Sequence, residues 1–87
     1  MSYQLIYTED SLKQLKKMEK YTQELITSYM RKTQACEEPR AKGKALSASL
    51  KGFWRYRVAD YRVICEIEED KIIIIVVDVG HRKDMYK

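Results

Sequence analysis

The chain has 87 residues, enough for one small domain spanning residues 1–87 and not for two. Hydrophobic residues make up 45% and charged residues 34%, a mix that suits a folded soluble domain and argues against a disordered one. Seventeen Lys and Arg against 13 Asp and Glu give a net charge of +4, so the distribution of charge says more than its total about a polyanionic partner.

Cys36 and Cys65 are far apart in sequence and near no histidine cluster, which is neither a disulfide framework nor a zinc pattern. A reduced, cytoplasmic setting and the absence of a metal or other cofactor are expected. The N-terminus lacks a basic start followed by an apolar stretch, so no signal peptide is expected. The longest apolar run, Ile72 to Val77, falls well short of the roughly 20 residues that cross a bilayer.

In chain order, residues 3–7 read as a short strand. Thr8 then offers a hydroxyl as N-cap, and Glu9 and Asp10 follow in the first turn, where carboxylates favour a helix start. Leu12, Leu15 and Met18 form an apolar stripe at helical spacing. A second helix is expected from about Thr22 to Lys32, with Leu25, Ile26, Tyr29 and Met30 at the same period and a break between Glu19 and Thr22; because no Gly or Pro marks that break, one long helix is the alternative. Residues 33–52 read as loop: Pro39 stops a helix, and Gly43 and Gly52 permit turns. Phe53–Val58 and Tyr61–Ile67 alternate as strands, and Ile72–Val79 reads as a strand buried on both faces. The expected architecture is α+β, in the order β-α-α-β-β-β: two N-terminal helices packed on a small, mostly antiparallel sheet.

Charge concentrates in one stretch. From Pro39 to Arg57 there are six basic residues (Arg40, Lys42, Lys44, Lys51, Arg55, Arg57) and no acidic one. If Ala59-Asp60 is a two-residue loop, Val58 faces Tyr61, Arg57 faces Arg62, Tyr56 faces Val63 and Arg55 faces Ile64. Directly opposite side chains share a face. Trp54, Tyr56, Val58, Tyr61, Val63, Cys65 and Ile67 then line the core, while Arg55, Arg57, Arg62 and Glu66 line the other face. Two readings stand side by side. One is a solvated face whose arginines pair with Glu66 and Glu68. The other is a phosphate-binding surface, for which the planar guanidinium fork is suited. The last strand runs into Gly80-His81-Arg82-Lys83-Asp84-Met85-Tyr86, with the single histidine. Because a loop one residue longer near Glu69-Asp70 would exchange the faces of that strand, the direction of Arg82 is open.

Arg55-Tyr56-Arg57-Val58, then Asp60-Tyr61-Arg62-Val63-Ile64, then Gly80-His81-Arg82-Lys83-Asp84-Met85-Tyr86, in this order and spacing, resemble the RelE branch of the RelE/ParE toxin superfamily. The Leu12, Lys13, Leu15, Lys17 pattern is similar to the family's first helix, and Gly43-Lys44-Ala45-Leu46 to its loop, so the resemblance covers essentially the whole chain. It implies a type II toxin held by a cognate antitoxin. It also implies a ribosome-dependent, metal-independent endoribonuclease that enters the ribosomal A site. There the ribose 2′-hydroxyl attacks the neighbouring phosphate, leaving a 2′,3′-cyclic phosphate and a 5′-hydroxyl on the messenger RNA.

By the resemblance, Arg62 and Arg82 stabilise the phosphate, and Tyr86 stacks on the substrate base or helps activate the hydroxyl. Arg55 and Arg57 stand where the family often has lysine, one of which can serve as base. Arginine stays protonated and is a poor base. The proton-transfer role then moves to His81, because histidine is the side-chain type suited to proton transfer near neutral pH. Glu66 is a second possible base, better read as an arginine partner. Lys44 and Lys51 are expected to contact ribosomal RNA. The alternatives are a ParE-like inhibitor of DNA gyrase, a catalytically inactive antitoxin-binding scaffold, and a plain RNA-binding domain.

Overall fold

The computed structural model describes residues 2–81. Strand β1 (Gln4–Tyr7) leads into helices α1 (Glu9–Lys16) and α2 (Lys20–Ala35). A single-turn 3-10 helix (Pro39–Ala41), β2 (Lys44–Ala45), a second 3-10 helix (Ala48–Leu50), β3 (Trp54–Val58), β4 (Tyr61–Glu68) and β5 (Ile73–His81) follow. The sheet order is β1-β5-β4-β3-β2; β1 runs parallel to β5 and every other pair is antiparallel. The expected α+β architecture is present, with one addition: Lys44 and Ala45, read from sequence as loop, pair with Arg55 and Trp54 as an edge strand.

Thr8 caps α1 as expected, accepting the Ser11 N–H at 3.2 Å. The helices do separate, but the break falls at Lys17–Glu19 and α2 extends at both ends beyond the expected Thr22–Lys32. The buried stripes also differ in detail. On α1 the buried positions are Ser11 and Leu15, and Leu12 is exposed; on α2 they are Thr22, Ile26, Met30 and Thr33, and Leu25 is exposed. Polar side chains satisfy their own hydroxyls locally and so enter the stripe without cost: Ser11 Oγ donates to the Thr8 carbonyl at 2.9 Å and Thr33 Oγ1 to that of Tyr29 at 2.9 Å.

The core lies between the helices and one face of the sheet. Leu15, Ile26 and Met30 pack with Tyr56, Val58, Val63, Cys65, Ile67, Ile74, Val76 and Val79. Tyr56 is fully buried, and its hydroxyl donates to the Pro39 carbonyl at 2.6 Å, which ties the middle segment to β3. The β3–β4 register is the expected one, including Arg57 opposite Arg62.

Strand β5 departs from expectation. Its loop from β4 occupies residues 69–72, with Ile72 at φ 57°, and a register shift interrupts the β4–β5 ladder between Ile64 and Cys65. Ile73 and Ile75 are half-buried, not buried, because both helices cover the opposite face. The all-branched run answers to a central position between two strands and not to layers on both faces.

Candidate nucleic-acid interface

Burying Tyr56 and Val58 forces their neighbours outward. Arg55 and Arg57 therefore leave the helix-free face of β3, and Arg62, directly opposite Arg57, joins them from β4. Directly opposite side chains have Cβ atoms about 5 Å apart, so Arg57 and Arg62 set two like charges side by side, with Arg55 on the same face. Among the described residues, no carboxylate pairs with Arg55 or Arg57; Glu68 is held by Lys71 at 3.6 Å, and Glu66 has no ion pair with either arginine. Arg40, part of the same basic stretch, is drawn elsewhere: it pairs with Glu69 and lies over the Trp54 ring, 5.6 Å from its centroid.

The edge of the sheet adds to this face. Strand β2 is only two residues long, so β3 runs on past its end, and a cleft of about 240 Å³ opens there, lined by Tyr29, Gly43, Lys44, Arg55 and Arg57. Gly43 has φ +82°, and a Cβ at that position would stand 2.3 Å from the Arg55 carbonyl oxygen and 2.6 Å from Trp54 Nε1. Only glycine allows β2 to approach this closely. Three of the basic residues singled out in the sequence thus meet in one cleft. Lys51 sits apart, in the exposed turn before β3.

His81 is placed differently. It opposes Tyr61, with ring centroids 5.3 Å apart in an edge-to-face contact, while Arg62 opposes Gly80. His81 therefore shares the helix-side face of the sheet, away from Arg55, Arg57 and Arg62. There it lines a second cleft, of about 430 Å³, with Gln14, Lys17, Met18, Tyr61 and Asp78. Arg82 and Tyr86 lie outside the described residues.

Both cysteines are free thiols, and burial pushes that of Cys65 up to about 12. Tyr29, half-buried against Tyr56 at 5.8 Å between ring centroids, also has its pKa raised, first by desolvation and then by Cys36. Sequence reasoning placed Tyr29 on a core stripe and missed it as a lining residue of the basic cleft; its periodicity carries no sign of the edge strand that makes the cleft. Among the described residues, no group of three His, Cys, Asp or Glu side chains gathers in a metal-binding arrangement, and no helix is long and apolar enough to cross a membrane.

Residues 5–86 match the family described as the ParE toxin of type II toxin-antitoxin systems, parDE. The chain belongs to the RelE/ParE toxin superfamily. A RelE-like toxin protein of Escherichia coli is 30% identical over 93 residues, covering 99% of this chain and 92% of its own, and marks this superfamily member as RelE-type. The fold is that of solved RelE structures. The Mycobacterium tuberculosis RelBE2 toxin-antitoxin complex superposes with a TM-score of 0.85 at 22% identity, covering 94% of this chain and all of that one. A substituted E. coli RelE in the free state gives 0.79 at 20% identity, over 99% of this chain and 90% of that one. The Agrobacterium tumefaciens YoeB/ParE toxin gives 0.73 at 19%, over 90% and 96%.

Proposed function

We propose that this RelE-type toxin is a metal-independent endoribonuclease that cuts messenger RNA in the ribosomal A site, acting in the cytoplasm and held inactive by a cognate antitoxin. The observation that carries this reading is the arginine face: Arg55, Arg57 and Arg62 project together from a hairpin whose register is set by the core, with no carboxylate paired to Arg55 or Arg57 among the described residues. A 2′-hydroxyl attack builds negative charge on a phosphorane, and preorganised guanidinium groups are the means of stabilising it. Arg57 and Arg62 hold the scissile phosphate; Arg82, which follows β5, joins them. Lys44, and Lys51 from its turn, contact the RNA backbone.

Proton transfer falls to His81 and Tyr86. His81 stands at the end of β5 on the helix side, the face opposite the arginines, so in this reading it would act from around the end of the sheet. This makes its role separable by experiment. His81→Gln should slow cleavage strongly and alter its pH–rate profile; an unchanged profile removes His81 from the chemistry.

The second reading is a gyrase-directed toxin, favoured by the ParE description of the matching family. Two assays divide them. An endoribonuclease yields fragments ending in 2′,3′-cyclic phosphate from a translated message and leaves gyrase supercoiling intact. A gyrase poison does the reverse.

A further inference from the structure

The cleft at the β2–β3 edge contains one residue with no part in the reading above. Tyr29 projects from α2 on the helix side, yet it lines the same cleft as Lys44, Arg55 and Arg57, which come from the sheet. Its ring is anchored by Tyr56 on one side, and Lys42 Nζ lies 5.6 Å from its centroid. A base cannot stack there without displacing the Lys42 side chain, so the ring is a poor platform for a nucleobase. Its hydroxyl is a different matter. A tyrosine phenol is protonated at neutral pH and donates a hydrogen bond, and desolvation raises the pKa of Tyr29 further. Three cationic side chains and a neutral donor around a small open cleft are the complement of a phosphate group, with its several acceptor oxygens.

We infer that this cleft is a second phosphate subsite, in which Tyr29 donates a hydrogen bond to a non-bridging oxygen of an RNA phosphodiester flanking the one that is cut, while Lys44 and Arg55 neutralise its charge. This deepens the ribonuclease reading and rests on it. Arg57 is common to both subsites, since it lines the cleft and opposes Arg62. The two phosphates would therefore be held on either side of one arginine, which sets the register of the strand across the sheet. Tyr29 acts here as a positioning residue.

The test uses the full chain and a short single-stranded RNA whose 2′-hydroxyls are methylated, so that no attack can occur. Binding is read by fluorescence anisotropy at low salt. Tyr29→Phe keeps the ring against Tyr56 and removes only the hydroxyl; it should weaken binding about tenfold, the scale of one hydrogen bond to a charged group. Each phosphate is then replaced in turn by an uncharged methylphosphonate. At one linkage the replacement should weaken wild-type binding by about the same factor and have little further effect on Tyr29→Phe, the non-additivity of a direct contact. Additive losses at every linkage overturn the proposal, as does a wild-type protein that fails to bind. Unchanged binding by Tyr29→Phe with weaker binding by Tyr29→Leu would assign the effect to the ring and also overturn it. So would a Tyr29→Phe variant that binds RNA normally and loses only the antitoxin, because the cleft would then serve acidic side chains. Coupling at one linkage without cleavage of a translated message would sink the ribonuclease reading alone; cleavage without coupling would sink the subsite alone.

Discussion

The proposed chemistry rests first on Arg57 and Arg62, which oppose each other on the helix-free face. The exposed Arg57 side chain has no part in the core, so its removal should leave folding unchanged. Loss of one preorganised group facing the phosphorane is worth about 10²–10³ in rate. Arg57→Ala and Arg62→Ala should each slow cleavage by that order, Arg57→Ala with unaltered thermal unfolding. A variant lacking both arginines that cuts at the wild-type rate would show that they serve solubility alone. Gly43 has the opposite character. Gly43→Ala places a methyl group against the Arg55 carbonyl at a backbone angle that L-residues rarely adopt, so β2 must leave β3. The expected outcome is a lower melting temperature together with weaker RNA binding.

Cys65 gives a pH-dependent prediction. Its thiol sits at about 12 in the fold against an ordinary value of 9.0, and desolvation is the cause. A raised pKa means that the native state holds this proton more tightly than the unfolded chain. The stabilising contribution is complete below about pH 9 and is lost as pH rises towards 12, at about 1.4 kcal/mol per pH unit for one such group. Tyr7, also pushed up to about 12 by burial, extends the loss from pH 10 upward. Melting curves should therefore shift down between pH 9 and 12, and Cys65→Val should remove the first part of that shift. An equal shift in the variant would place the titrating group elsewhere.

At the scale of elements, the central device is the joint between α1 and β5. Strand β1 pairs with β5 only as far as Val76, so the rest of that edge needs other partners. Thr8 and Gln14 supply them: Thr8 Oγ1 donates to the Val77 carbonyl at 3.4 Å, and Gln14 Oε1 accepts the Val79 N–H at 3.1 Å. Gln14→Ala leaves that N–H without its partner and should cost about 1–3 kcal/mol in denaturant unfolding. A negligible change would mean that water replaces the side chain.

The two helices, the strands and the β3–β4 register were legible because each rests on a local signal: the Thr8 cap, the helical stripes, the alternation on either side of Ala59-Asp60. The short strand β2 was not, because two exposed residues carry no periodicity. The loop before β5 was not, because it contains no glycine and Ile72 takes the left-handed conformation instead. For the same reason the face of His81 could not be read before the register was known. The three hairpin arginines were correctly brought together, and Tyr29 was hidden by its place on an apolar stripe.

For the whole molecule, a net charge of +4 is too small to bind polyanions by itself. The proposed affinity for RNA would come from the local cluster on the helix-free face and its edge, and would fall with salt. Single-stranded RNA held through about three phosphates should show a log–log slope near −2. Action of the arginine face on messenger RNA inside the ribosome is read out by primer extension on a defined message in a purified translation system, with the protein added and with ribosomes present or omitted. New 5′ ends should arise within A-site codons and disappear when ribosomes are omitted and when Arg62 is replaced by Ala. An intact message, or the same cuts on naked RNA, would rule out ribosome-dependent cleavage.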